Sequence, residues 1–191
     1  MKTSRTLIAA LAATGMLAGH GVVAAPGAAQ PAQTTPMVEQ KAAEGVQLSA
    51  QDKTFIMKAA ENNTAEIWLG RLAKKRAQSE PVKELAAEII SDHQQVAEVM
   101  KETMAKMGLK PPAMAIREAQ MKKYERLATV PQDEFDTAYV KAQVKAHEKT
   151  IALFQQQVDE GQAEVLVSFA KNRIPTLEQH LQHAQELAGK L

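Results

Sequence analysis

Four long segments of this chain repeat apolar residues at steps of three and four, the spacing that puts side chains on one face of an α-helix. The segments begin near Ser49, Pro81, Pro131 and Gln162. The clearest stripe lies in the second segment and consists of Val82, Leu85, Ile89, His93, Val96, Met100, Met104 and Met107. No segment shows the strict alternation of a strand between turn signals. The pattern therefore predicts an all-α fold.

Local signals set the expected helix ends. Ser49 is a good N-cap, and Asp52 supports the first turn from the third helical position. Gly108 stops the second helix and Gly161 separates the third from the fourth. Pro175 lies inside the fourth segment, so we expect it to kink that helix or to split off its first turns.

The connections between the helices predict the topology. The first and last connections are very short, so each joins two antiparallel helices. Residues 108–131 form a long connector, of which about 113–127 has helix-forming composition. One long connection between helices two and three is typical of a ferritin-like four-helix bundle with one crossover. A faint echo between the halves, Asp52-Lys-Thr-Phe55 against Asp136-Thr-Ala-Tyr139, gives mild support.

The first residues have the features of a secretory signal peptide. Lys2 and Arg5 precede a short apolar run from Leu7 to Ala18, which is too short to span a bilayer. Small residues suit cleavage after Ala24, with Ala25 as the second choice. We therefore expect a signal peptide over residues 1–24 and a periplasmic protein, although its export brings no disulfides because the chain has no cysteine.

Residues 25–48 are rich in Ala, Pro, Gln and Thr without apolar periodicity, which predicts a disordered leader ahead of one helical domain over 49–191. The formal charge of +1 for the whole chain becomes −1 once Lys2 and Arg5 are removed. This balance does not support nucleic-acid binding, which needs a basic surface. No apolar stretch after the signal approaches the length of a transmembrane helix.

Three histidines on three different helices are the candidate functional residues. With the crossover topology, His93, His147 and His180 fall at a similar height in the bundle, and Glu66 of the first helix reaches the same layer. Imidazole and carboxylate ligands suit Zn, Fe, Cu or Ni. The sequence thus predicts one transition-metal site of these four residues, with Asp92 as a ligand or as a partner that orients a histidine.

Other interpretations of the same residues remain open. A buried polar layer can hydrogen-bond internally without any metal, and Asp136 and Tyr139 are candidate partners for it. The methionines Met100, Met104 and Met107 fit a Cu(I) site but are more typical of core packing. The chain has no Glu-x-x-His, which argues against a ferritin-type ferroxidase. It also has no motif for covalent catalysis and no haem attachment site.

Several short runs together resemble a bacterial exported family known as domain of unknown function number 4142. The runs are Ala59-Ala60, Ala65-Glu66-Ile67, Leu69-Gly70, Asp92-His93, Phe135-Asp136 with Tyr139 and His147, and Phe169-Ala170 through Ile174-Pro175, Leu177 and His180. The similarity spans about residues 49–187, with Ile174 where the family has leucine. It implies a ferritin-like fold and export but no reaction, and it singles out Asp92, His93, Asp136, His147 and His180.

The residues and the resemblance together predict a non-enzymatic module, related to the cell envelope or to stress, whose polar layer binds a metal ion such as Zn, Fe or Cu. The first alternative is a metal-dependent enzyme or oxidant-handling protein that uses this layer. The second is a structural interaction domain without metal. An envelope protein is the expected kind of partner.

Overall fold

The computed structural model describes residues 46–113 and 115–191. Within these ranges the chain forms five helices and no strands, so the all-α prediction is confirmed. The helices are α1 (Ala50–Arg76), α2 (Glu80–Lys106), α3 (Glu118–Ala128), α4 (Phe135–Glu160) and α5 (Glu164–Ala188). The expected signal peptide, and all but the last three residues of the expected leader, lie outside the described residues. No described helix combines the length and the apolar character that crossing a membrane requires.

The helix ends follow the local signals with one exception. Ser49 and Asp52 form a reciprocal capping box at the start of α1. Gly108 follows α2 with a φ of 68°, a left-handed conformation that glycine adopts without strain. Of the two outcomes expected at Pro175, a kink or a split, the split does not occur, because α5 continues through Pro175 as one helix. Pro175 is exposed, and the buried Phe169 and Leu177 on either side of it anchor both halves of α5 in the core.

The four long helices pack in a closed cycle of neighbours. α1 lies against α2 and α4, and α5 lies against α4 and α2. The turns of residues 77–79 and 161–163 join α1 to α2 and α4 to α5, so each of these two pairs is antiparallel. The connector from residue 107 to residue 134 contains α3, which packs on α1 and touches α4.

Two buried aspartates clamp the two short turns. Asp52 Oδ1 accepts hydrogen bonds from the Gln157 side chain at 2.7 Å and from the backbone N–H of Gln162 at 3.2 Å, at the turn between α4 and α5. Asp136 Oδ2 accepts from the backbone N–H of Ser79 at 2.7 Å, at the turn between α1 and α2. The start of α1 therefore lies beside the turn between α4 and α5, and the start of α4 lies beside the turn between α1 and α2. The echo noted in the sequence corresponds to this reciprocal arrangement.

The buried side chains form two apolar clusters, one towards each end of the long helices. The first includes Leu72, Leu85, Ile89, Val140 and Leu187. The second includes Phe55, Met104, Phe154, Phe169 and Leu177. Each long helix also has buried polar residues between the stretches that feed the two clusters; among them are Asn63, Glu66, His93, Gln143, His147, Thr150 and His180. A polar layer thus crosses the middle of an otherwise apolar core.

Candidate metal centre

The three histidines meet in the middle of this polar layer. His93 comes from α2, His147 from α4 and His180 from α5, and all three side chains are buried. Their ring centroids lie between 5.2 and 6.0 Å apart. One ring nitrogen from each lies within 4.8 Å of the other two. The spacing of apolar residues on the three helices therefore brings three imidazoles to one point, as the sequence predicted.

Each ring also hydrogen-bonds to an oxygen acceptor on its outer side. His93 Nδ1 lies 2.8 Å from Asn63 Oδ1, and the Asn63 amide nitrogen donates to the His93 carbonyl at 2.9 Å, which fixes the orientation of that amide. His147 Nδ1 lies 3.1 Å from the backbone carbonyl of Gln143. His180 Nε2 lies 2.9 Å from Asp92 Oδ2. Because each partner is an acceptor, each of these ring nitrogens is assigned the proton.

Two of the histidine rings face each other with no proton left to form a hydrogen bond between them. His147 Nε2 faces His180 Nδ1 at 3.2 Å. In a neutral imidazole only one nitrogen carries a proton, and the outer partners of His147 and His180 already take both available protons. The two facing nitrogens are therefore both lone-pair acceptors. A cation between them, either a proton or a metal ion, would turn this repulsion into a bond.

Burial makes a proton the less favourable cation between His147 and His180. Burial lowers the pKa of His180, and the neighbouring His147 lowers it further, while Asp92 acts in the opposite direction. Burial also lowers the pKa of His93 to about 3, with His147 and His180 adding to the effect. The remaining nitrogen of His93, Nε2, is buried without a hydrogen-bond partner. Burial thus favours the neutral form of His93 and His180, which is the form that binds metals.

Beside the histidines lies a second group of buried polar atoms without partners. Glu66 Oε2, the Tyr139 hydroxyl and both polar atoms of the Gln143 side chain make no well-formed hydrogen bond. Burial raises the pKa of the Glu66 carboxyl, and the nearby His147, Gln143 and Lys123 partly oppose this rise. Burial and the charge of Glu66 raise the pKa of Tyr139. Orphaned polar atoms are rare in protein cores, so such a group is typical of a site that takes up water or an ion.

Of the six residues predicted for the site, the structure brings four into direct contact: His93, His147, His180 and, through His180, Asp92. Glu66 lies close enough to influence His147 but is not within ligand distance of the cluster. Asp136 is elsewhere, because its carboxylate accepts the backbone N–H groups of Gln78 and Ser79. Within the described residues no hydrogen bond joins Asp136 to the three histidines.

Sequence reasoning missed two contributors to the centre. Asn63 shares the apolar stripe of α1 and supplies the oxygen that orients His93. Gln143 precedes His147 by one helical turn, so its backbone carbonyl meets the ring while its amide fills the layer. For Gln143 the available signal was its spacing of four residues from the buried His147, and for Asn63 it was a polar side chain on the apolar stripe of α1.

The lowered pKa of His93 predicts that acid destabilises the metal-free protein. The unfolded chain takes up a proton near the ordinary histidine pKa of 6.5, whereas the folded chain does not until about pH 3. The free energy of unfolding should therefore fall as the pH drops below 6.5, by about 2 kcal/mol from this residue between pH 7 and pH 5. Urea unfolding at the two pH values, with His93→Gln as the comparison, measures this difference. An equal pH effect in both proteins would contradict the assignment.

Comparison with known proteins gives a family and a fold. A family model described as Domain of unknown function (DUF4142) matches residues 37–187. A crystal structure of a DUF305 fragment from Deinococcus radiodurans is similar to this chain with a TM-score of 0.65 at 16% sequence identity, covering 76% of this chain and 100% of that chain. At this identity the likeness concerns the fold alone. No curated protein matches the chain.

Proposed function

The chain belongs to the DUF4142 family of domains of unknown function, and we propose that it is a metal-binding module in which His93, His147 and His180 hold one transition-metal ion. The observation that carries the proposal is the 3.2 Å separation of His147 Nε2 and His180 Nδ1 in a buried setting, where each ring already directs its other nitrogen at an oxygen acceptor. Two nitrogen ligands of a tetrahedral zinc ion with bonds of 2.0–2.1 Å stand about 3.4 Å apart. A shift on the order of 1 Å would draw in His93.

The outer partners support the same proposal. Histidines that bind metals almost always donate the other ring N–H to a carboxylate, a backbone carbonyl or a similar acceptor. Here the three rings have one partner of each kind: the Asn63 amide, the Gln143 carbonyl and the Asp92 carboxylate. These contacts fix the tautomers that leave one lone pair of each ring directed inward. Three imidazoles without a thiolate suit Zn, Cu or Fe.

We place this centre in a ferritin-like four-helix bundle with one crossover. The cycle of neighbours α1, α2, α5 and α4, the two reciprocal aspartate clamps and the long connector that contains α3 all support that arrangement. In such bundles, side chains of facing helices build metal sites in the core. The absence of Glu-x-x-His from the sequence distinguishes the proposed centre from a di-iron site.

One observation favours a second candidate, a metal-dependent enzyme or oxidant-handling protein. Three histidine ligands leave a coordination position open, which is the pattern of catalytic rather than structural zinc sites. The buried Glu66 carboxyl, whose Oε2 has no well-formed hydrogen bond, and the Tyr139 hydroxyl lie beside the histidines and could exchange protons with a molecule bound there. A structural role without metal is the remaining alternative, and the experiment below separates it from both.

We also propose that the protein is exported to the periplasm after cleavage behind Ala24, as a module of the cell envelope. The basic residues Lys2 and Arg5, the apolar run and the small residues before the cut support this. N-terminal sequencing of the protein recovered from a periplasmic fraction tests the cleavage site. A protein that keeps Met1 and stays in the cytoplasm would contradict export.

Elemental analysis tests the proposed centre. Protein loaded separately with Zn, Fe, Cu and Mn and then desalted should retain about one ion per chain for at least one of these metals. The double variant His93→Ala/His147→Ala should retain none. His183→Ala is the matched control, because His183 lies on the same helix as His180 but pairs with Glu88 at the surface. Full retention in the double variant, or no retention in the unaltered protein, would overturn the proposal.

A further inference from the structure

A second feature of the chain is a cavity of about 510 Å³ between α1, α3 and α4, which adjoins the polar layer at Glu66 and Thr150 but is lined by none of the three histidines. This volume lies within the range of about 300–1,000 Å³ that is usual for small-molecule sites. Its apolar walls are Ala65, Leu69, Leu127, Val130, Ala142 and Ala146. Short α3 forms the outer wall, and Leu127 is its only buried residue. The space exists because α3 stands off α4 rather than packing into it.

Contacts at both ends hold α3 in this position. At its start, Arg117 pairs with Glu61, and the Gln120 amide donates to Asn62 at 3.1 Å. At its end, the Arg76 guanidinium donates to the carbonyls of Ala128 and Val130, each at 2.7 Å. Both ends of α3 are therefore bonded to α1, and these contacts define the outer wall of the cavity.

The charged residues of the cavity are nearly all basic. Lys123, Arg126, Lys145 and Lys149 line it, and all four are exposed. Among the described residues none of the four forms a salt bridge. The cavity has a single acidic lining residue, Glu66, which is buried. Four cations around an apolar space, with the buried Glu66 near Lys123 as the single acidic lining residue, leave an excess of positive charge that attracts anions.

We propose that this cavity binds an organic anion with an apolar chain, of the fatty carboxylate class. The chain would lie against Ala65, Leu69 and Leu127, and the carboxylate would lie among the lysine and arginine groups at the rim. Apolar burial and an unpaired cationic rim favour this class over an inorganic anion, which needs no apolar wall, and over a neutral lipid, which needs no cations. This binding does not depend on the metal centre.

The chain contains its own reporter for such a ligand. Trp68, its single tryptophan, precedes the cavity residue Leu69 and packs edge-to-face on Tyr124 of α3 with ring centroids 6.0 Å apart. A terminally brominated undecanoate bound in the cavity should quench the Trp68 fluorescence by contact. Titration of the full-length, metal-free protein with this probe, below its micelle concentration, should give saturable quenching. The brominated alcohol of the same length should bind at least tenfold more weakly.

Three variants locate the binding. Lys123→Ala/Lys145→Ala should weaken binding of the carboxylate about tenfold, because it removes two partly screened cations. Lys58→Ala/Lys171→Ala, which removes two exposed lysines outside the cavity, should leave it unchanged. Ala142→Phe should abolish binding by filling the space. No saturable quenching, or equal binding of the carboxylate and the alcohol, would overturn the proposal without bearing on the metal count.

Discussion

Zinc added to the metal-stripped protein is expected to raise the free energy of unfolding by about 2.7 kcal/mol when the free ion reaches a hundred times its dissociation constant. The reason is mass action: the three imidazoles converge only in the folded chain, so the ion binds that state in preference. His147→Ala should abolish most of this gain, because it removes one of the two facing nitrogens at 3.2 Å. Chemical unfolding at fixed pH, with and without zinc, measures the gain.

The comparison must use the gain and not the absolute stability. His147 is buried, so its replacement by alanine leaves a cavity and lowers stability even without metal. His183→Ala provides the control, since this surface histidine should leave the zinc-induced gain intact. If the zinc-induced gain in the free energy of unfolding survives in His147→Ala but is lost in His183→Ala, the metal binds at the surface of α5 and not at the proposed centre.

The second large effect is expected for Asp52→Ala, which should lower the free energy of unfolding by roughly 3–4 kcal/mol. Asp52 is fully buried and forms the capping box of α1 with Ser49. Its carboxylate also accepts hydrogen bonds from the Gln157 amide and from the backbone N–H of Gln162. Its removal strands these donors at a junction of α1, α4 and α5. Thermal or urea unfolding measures the loss.

Acid should reproduce part of the Asp52 effect. Burial alone would raise the pKa of Asp52, but its hydrogen bonds with Ser49, Gln157 and Ala163 hold the pKa below the ordinary 3.8. Its stabilising contribution is therefore present above pH 3.8 and is lost as the pH falls through the lower native value. Asp159→Ala is the matched control, because Asp159 bonds only to Gln155 at the surface and should cost about 0.5 kcal/mol or less. Equal losses in the two variants would contradict the clamp.

Much of the fold could be predicted because its determinants are local. Ser49 and Asp52 are three residues apart and cap α1 within their own segment. The glycine after α2 needs only its own backbone freedom. Pro175 was the exception: the packing of residues far apart in sequence holds α5 together across it, and local rules do not include that packing.

The site was predictable only in part, for the same reason. Helical spacing was enough to align His93, His147 and His180, because each lies on the buried stripe of its own helix. Asp136 lies on such a stripe too, but its carboxylate meets the turn between α1 and α2, a contact set by how the two halves pack. The tautomers of the rings and the basic cavity under α3 likewise depend on distances between helices.

The most direct test of the proposed metal centre is a crystal structure of the zinc-loaded protein with anomalous scattering at the zinc edge. We predict one buried anomalous peak bonded to one nitrogen each of His93, His147 and His180, at about 2.0–2.1 Å. A second group also places three ligand atoms within 4.8 Å of one another, and it consists of the exposed Glu88, the half-buried Asp92 and the buried His180. A peak at that group alone, or no peak at all, would contradict the account.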